Sequence, residues 1–258
     1  MSRLLRADAV RMYRGKWFWL CLGGMLLMSL GFIGMQYTAM DYSVPLSRVI
    51  FLPLSFYGVA VAALVSMYVG EDFSDGFIRN KIIAGRSRYS IFLSNLMIGW
   101  TACVIIYVII TLFTFLVGRG LFEIDVTWGE YGCYLLWGVF MCLAYGSIFG
   151  TVTMLTGNKA VAVMLCMGLA FGLLLLCLHT NQIIVQPEYK DGVLNPHYVS
   201  GVKKIVYGIL HDVNPSGQAA QLSTMDILNP IRWIACDIGW MLVAAGVGTA
   251  LFQRANIR

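Results

Sequence analysis

Three histidines, thirteen carboxylates and seven cysteines are the groups with which this 258-residue chain could catalyse a reaction or hold a metal. Their spacing supports neither. His179, His197 and His211 are isolated, with no HExxH string and no acidic partner at helical spacing to build a metal site or a general base. Cys21, Cys103, Cys133, Cys142, Cys166, Cys177 and Cys236 fall inside apolar stretches, where a free thiol behaves as a small hydrophobe, and no zinc or disulfide spacing links them. No GxxxxGK[ST] phosphate loop occurs, the nearest string being GNKA at Gly157, and no GxSxG elbow stands out. The chain alone is expected to hydrolyse no ATP, to be no enzyme, and to carry no metal or cofactor.

Charge chemistry is concentrated elsewhere. GEDFSDGFIRNKIIAGRSRYS, Gly70 to Ser90, sets Glu71, Asp72, Asp75, Arg79, Lys81, Arg86 and Arg88 between two hydrophobic runs. Gly76 and Gly85 punctuate it and leave FIRNKIIA as a two-turn helix about 12 Å long. Its apolar residues form no single stripe: Phe77 shares a face with Lys81, and Ile78 with Ile82. One face is then expected to meet a protein partner, with the flanking charges fixing register. A solvated loop whose arginines only set membrane topology is an equal alternative on composition.

The elements that position this segment are membrane spans. The chain is 59% hydrophobic and 12% charged, against roughly a quarter charged for a soluble protein. Apolar windows predict six spans, about 17–38, 49–70, 91–117, 129–156, 160–180 and 232–253, each near the ~20 residues that cross a ~30 Å hydrocarbon layer. No stretch remains for a separate soluble domain, so 1–258 reads as one all-α membrane domain. With both termini cytoplasmic, twelve of the eighteen Lys and Arg residues face inward, as the positive-inside rule favours. That topology accounts for the net charge of +5 without nucleic acid.

Residues 2–14 read as an amphipathic helix lying on the membrane, with Leu5, Ala9 and Met12 on one stripe and Arg3, Arg6, Arg11 and Arg14 available to headgroups. The alternative is a charged flank that only sets topology. Gly146 and Gly150 in the fourth span, and Gly168 and Gly172 in the fifth, have the GxxxG spacing of close helix packing. In the last outer loop Val199, Val202, Val206, Ile209 and Val213 predict an amphipathic helix, and Gln218 to Leu228 a second short one. The central thirds of the spans hold no ionisable group, whereas gradient-driven carriers bury several. Asp237 and Glu130 lie near span edges, and Asp237 is expected to pair with Arg232 or a neighbouring helix. The energy for any transport must come from an external motor acting through the 70–90 segment.

These features resemble the permease subunits of ATP-binding-cassette type 2 exporters, above all those of the bacitracin and lantibiotic self-protection kind. The resemblance rests on the basic helix at Ser2 to Arg14, on EDFSDGFIRNKIIAGRSRYSIFLSNL at Glu71 to Leu96, on NPSGQ at Asn214 to Gln218, and on a short basic tail. It implies an N-terminal surface helix, a cytoplasmic coupling helix between the second and third spans, and short extracellular helices before the last. It also implies docking on an ATPase subunit through Phe77, Ile78, Arg79, Asn80, Lys81 and Ile82, flanked by Asp75, Arg86 and Arg88. Two copies of that ATPase, holding ATP and Mg2+, and a second permease, identical or paralogous, would complete the assembly in the cell membrane. The implied activity is export of a hydrophobic or amphipathic cargo such as an antimicrobial peptide. A gradient-driven carrier or channel and a non-transporting sensor or scaffold are the competing classes.

Overall fold

Long apolar runs in lipid must satisfy their own backbone groups, and helices do so within one segment. The computed structural model, which describes residues 2–39, 44–190, 193–195, 198–227 and 229–254, is accordingly built of helices. In chain order they are α1 (Ser2–Arg14), α2 (Lys16–Ala39), α3 (Ser47–Ile50), α4 (Tyr57–Ser74), α5 (Phe77–Ile83), α6 (Arg88–Gly118), α7 (Trp128–Thr156), α8 (Lys159–Ile184), α9 (Val202–Val213), α10 (Pro215–Thr224), α11 (Pro230–Val243) and α12 (Thr249–Arg254). A two-residue antiparallel pair, β1 (Tyr189–Lys190) with β2 (Val193–Leu194), precedes α9. Six segments are long and apolar enough to cross a membrane: Lys16–Thr38, Ser47–Ser74, Arg88–Gly118, Trp128–Thr156, Lys159–Ile184 and Pro230–Arg254. The chain is a multi-pass helical membrane protein.

Two spans depart from simple helices. Pro53 removes a backbone donor near the start of the second, which runs as α3, a 3-10 turn over Leu52–Phe56, and then α4. The sixth contains a π-helical turn at Ala244–Gly248 between α11 and α12. The second span is the hub, with 67% of its window buried against 22% for both the fifth and the sixth. Val61, Ala62, Leu64, Val65, Tyr68 and Val69 of α4 supply that core, against α8, α7 and α2.

The structure corrects the expected ends of several elements. α4 continues to Ser74 and α6 begins at Arg88, so Glu71 and Asp72 lie on a helix rather than in a loop. Each has partners, described below, that make helical continuation favourable. Gly76 then turns the chain through φ 71°, which a side chain disfavours, and α5 begins at once. α10 starts at Pro215 and ends at Thr224, earlier at both ends than 218–228, because Asn214 caps it, Pro215 takes its first position and Met225 leaves it in a left-handed conformation. Leu228, His197 and Arg258 lie outside the described residues, as does the side chain of Arg3.

α9 and α10 are unlike soluble amphipathic helices. Val202, Ile205, Val206 and Ile209 of α9 are exposed, while His211 and Asp212 are buried. The apolar face of α9 points outward, away from the rest of the chain. α10 is almost wholly enclosed, packed against α7, α8, α9 and the 3-10 turn of the second span.

Candidate functional site

Two polar centres form, one at each end of the bundle. The first joins α1, α4, α5 and α6. Lys81 Nζ of α5 lies 2.8 Å from Asp8 Oδ1 of α1 and 3.3 Å from Asp72 Oδ2 of α4. Arg11 of α1 pairs with Asp72, donates to Tyr68 Oη at 3.1 Å, and sits 3.7 Å from Asp8. Ser94 Oγ of α6 donates to Asp8 Oδ2 at 2.9 Å, and Tyr68 Oη to the Asp8 carbonyl at 3.1 Å. Two acids and two bases thus share one enclosure. Burial alone disfavours the Arg11 guanidinium, but Asp72 and Tyr68 outweigh it and hold the pKa above its ordinary value. A neighbouring contact ties in α2 and α8: Glu71 Oε1 accepts from Trp17 Nε1 at 2.6 Å and from Lys159 Nζ at 3.1 Å.

This geometry rotates α1 from its expected setting. The most deeply buried stripe is Leu4, Asp8 and Met12, with Leu5 and Ala9 half-buried against the core beside it, and Arg11 turns into the bundle instead of toward headgroups. An acid can occupy that stripe because Lys81, Arg11 and Ser94 satisfy it. Arg6 and Arg14 are exposed.

The residues expected to dock a partner divide in two. Ile78 is buried, Lys81 faces the enclosure, and Ile82 packs half-buried on the core. Phe77, Arg79, Asn80 and Arg86 are exposed, together with Ile83, which the sequence reading omitted and which is 74% accessible. Phe77 lies under the Arg11 guanidinium at 4.7 Å. Asp75 is exposed and takes a hydrogen bond from Ser74 Oγ at 3.1 Å. Arg88 donates to the Gln253 carbonyl at 3.0 Å, which fastens the end of α12 to the start of α6.

The second centre is built by α8, α9, α10 and α11 at the other end. Asp212 is fully buried; it accepts from Arg232 Nε at 2.5 Å and from Gln221 Nε2 at 2.7 Å. Gln218 Nε2 donates to the Asp212 carbonyl at 2.8 Å and to Asp237 Oδ1 at 2.9 Å. Arg232 therefore goes to Asp212, and the neighbour of Asp237 is α10 rather than the Arg232 of its own helix. Asp237 Oδ2 and Gln218 Oε1 are buried without a hydrogen-bond partner. Glu130 closes a capping box with Thr127 at the start of α7.

His211 Nδ1 lies 2.8 Å from Thr180 Oγ1. Burial depresses its pKa, and the raising effect of Asp212 does not cancel this. A histidine depressed in the fold binds fewer protons there than in the unfolded chain, so its contribution to stability is intact above the ordinary value near 6.5 and declines as pH falls through the folded value. Thermal melts of the purified protein are expected to weaken between pH 7.5 and 5.5, and His211→Asn to flatten that slope. A slope unchanged in the variant would remove His211 from the explanation.

The glycine pairs behave differently from one another. A Cβ on Gly146 would stand 2.8 Å from Trp100 Cδ1, and one on Gly150 would stand 3.3 Å from Leu96, so both serve the α6–α7 approach. A Cβ on Gly168 or Gly172 would meet none of the described residues within 4 Å, and both glycines are exposed. Gly146→Ala is expected to cost about 1–3 kcal/mol through overpacking, whereas Gly168→Ala, inside α8 with open space at its Cβ, is expected to keep or slightly raise the melting temperature of the single chain. A melt of each variant in mild detergent separates the two.

No group of three or more His, Cys, Asp or Glu side chains is placed to hold a metal among the described residues. Both centres offer contact and mechanical linkage. No family model matches this chain, and no curated protein matches its sequence.

Proposed function

We propose that this chain is the membrane-embedded permease subunit of an ABC-2-type exporter, driven by a separate ATPase subunit that docks on α5. The observation that carries the reading is the division of α5 into two faces. Its inner face is fastened to α1 and α4 through Lys81 and carries the buried Ile78, while Ile83, Arg79 and Arg86 are exposed and Phe77, exposed in part, lies under Arg11. An apolar pair flanked by two cations suits a partner groove with an acidic rim. Displacement of so short a helix is transmitted to α1 and α4, because its contacts with them are charged and enclosed.

In this reading both termini, α5 and the α7–α8 turn are cytoplasmic, α1 rides at the membrane surface, and α9 and α10 are extracellular. ATP and Mg2+ belong to two copies of the partner ATPase. The exposed Gly168 and Gly172 on α8 offer a second permease the close approach that they do not use within the chain. The cargo is hydrophobic or amphipathic, such as an antimicrobial peptide, taken from the membrane and released outside.

The test is copurification. Arg79→Glu with Arg86→Glu is expected to abolish recovery of an ATPase subunit with the tagged permease, while insertion and melting of the permease are retained. Undiminished recovery would sink the docking assignment. The gradient-driven carrier draws on one observation, Asp237 buried in the sixth span. It requires transport by this chain alone in liposomes, with no ATPase added.

A further inference from the structure

We infer that a groove between α1 and α6 is a binding site for one anionic phospholipid, with its phosphate at Arg6 and an acyl chain along α6. The inference needs the membrane location of the chain and not the exporter reading.

The groove has a volume of about 630 Å3 and is lined by Leu5 and Ala9 of α1, Ile98, Val104 and Ile105 of α6, and Leu143 of α7. Its walls are almost wholly apolar; Arg6 is its one cation and no acid lines it. Arg6 is exposed and makes no ion pair or hydrogen bond to any described residue. That sets it apart from Arg11, whose guanidinium is engaged with Asp72. An apolar trough with one unpaired guanidinium in its lining matches a ligand that is hydrocarbon at one end and a phosphate at the other.

Depth supports the same ligand. α6 has 31 residues, about 46 Å at the helical rise, some 16 Å more than a ~30 Å hydrocarbon layer. Ser94 is hydrogen-bonded to Asp8, which holds α1 level with the second turn of α6, about 9 Å from its start. Ile98 to Ile105 lie about 6 to 16 Å further along the helix. The Asp8–Ser94 contact, two residues from Arg6, is thus at headgroup depth and the α6 wall of the groove at acyl-chain depth. A phosphorylated solute without a hydrocarbon tail would leave most of the groove empty.

The experiment is native mass spectrometry of the delipidated full chain, titrated with phosphatidylglycerol and phosphatidylcholine of identical acyl chains. One phosphatidylglycerol is expected to be retained about tenfold better than phosphatidylcholine: both carry the phosphate, but the choline cation cancels its charge and would stand beside the Arg6 guanidinium. Arg6→Gln should bring the two lipids level. Thr101→Trp, which fills the groove from an exposed wall position, should lower retention of both. A fold-independent measurement is quenching of Trp100, which lines the groove, by phosphatidylglycerol brominated in its acyl chains, read as the difference between the wild-type protein and Trp100→Phe. Equal retention of the two lipids by the wild-type protein, a preference that survives Arg6→Gln, or no Trp100-dependent quenching would each overturn the proposal. Loss of a dimer rather than of lipid on Thr101→Trp would assign the groove to a second copy of this chain and overturn it equally.

Discussion

Asp72→Ala is expected to cost about 3–5 kcal/mol of stability, the range for breaking a buried ion pair by deleting one partner. Asp72 is 1% exposed, and it alone contacts both cations of the enclosure other than Asp8, which is itself 4% exposed. Its removal leaves Arg11 and Lys81, with side chains 27% and 13% accessible, sharing one acid. The variant should melt roughly 6–20 °C lower in mild detergent, and α5 should become a protease-sensitive segment, because Lys81 then has half its anchors. Deleting an acid and a base together behaves differently. Asp8→Ala with Lys81→Met leaves Arg11 and Asp72 as a balanced pair, so the double variant should be less destabilised than the sum of its singles by about 1–2 kcal/mol. Additive losses would show that the four charges do not act as one unit.

Coupling in the proposed exporter depends on the same charges. A docking helix held only by apolar packing could slide along its neighbours when pushed, since such contacts have little directional preference. Lys81 instead binds acids on two different helices, 2.8 Å and 3.3 Å away, and Arg11 binds the same two acids. A push on Phe77 or Ile83 is therefore resolved into displacement of α1 and α4 together. Because α4 is the most buried of the spans, that displacement reaches the centre of the bundle.

The spans were legible because a run of apolar residues is a one-dimensional signal, and the six windows fall where the helices do. Their ends were less so. Charge at Glu71 and Asp72 signals a loop in the sequence, yet partners distant in sequence, Trp17, Lys159 and Arg11, let the helix pass through both residues. The short helix from Phe77 could be read from its two bounding glycines, but the division of its faces could not, since that depends on where Asp8 sits. Asp8 was itself the missed signal: a lone acid four residues from both Leu4 and Met12, on what turned out to be the inward stripe of α1. Among the glycines, spacing alone could not distinguish Gly146, where a Cβ would meet Trp100, from Gly168, where a Cβ would meet none of the described residues.

The second large effect concerns two buried aspartates whose substitutions should have opposite signs. Asp212→Asn is expected to destabilise by about 2–4 kcal/mol, since it replaces the charged acceptor of Arg232 and Gln221 and leaves a guanidinium beside a neutral amide. The Arg232 side chain is 33% accessible, so water recovers part of that loss and keeps the figure below a fully enclosed pair. Asp237→Asn removes no ion pair. Gln218 Nε2 still finds an oxygen at the Oδ1 position, 2.9 Å away, and the new amide nitrogen supplies a donor in a region where Gln218 Oε1 has none. Asp237→Asn should therefore be neutral or stabilising by up to about 2 kcal/mol, as expected when an unsatisfied buried acceptor is relieved. Melts of the two variants, made side by side in the same detergent, decide the matter. A loss at Asp237 as large as that at Asp212 would mean that the buried Asp237 carboxyl serves a bound cation or a proton, and the carrier reading would then displace the ATPase-driven one.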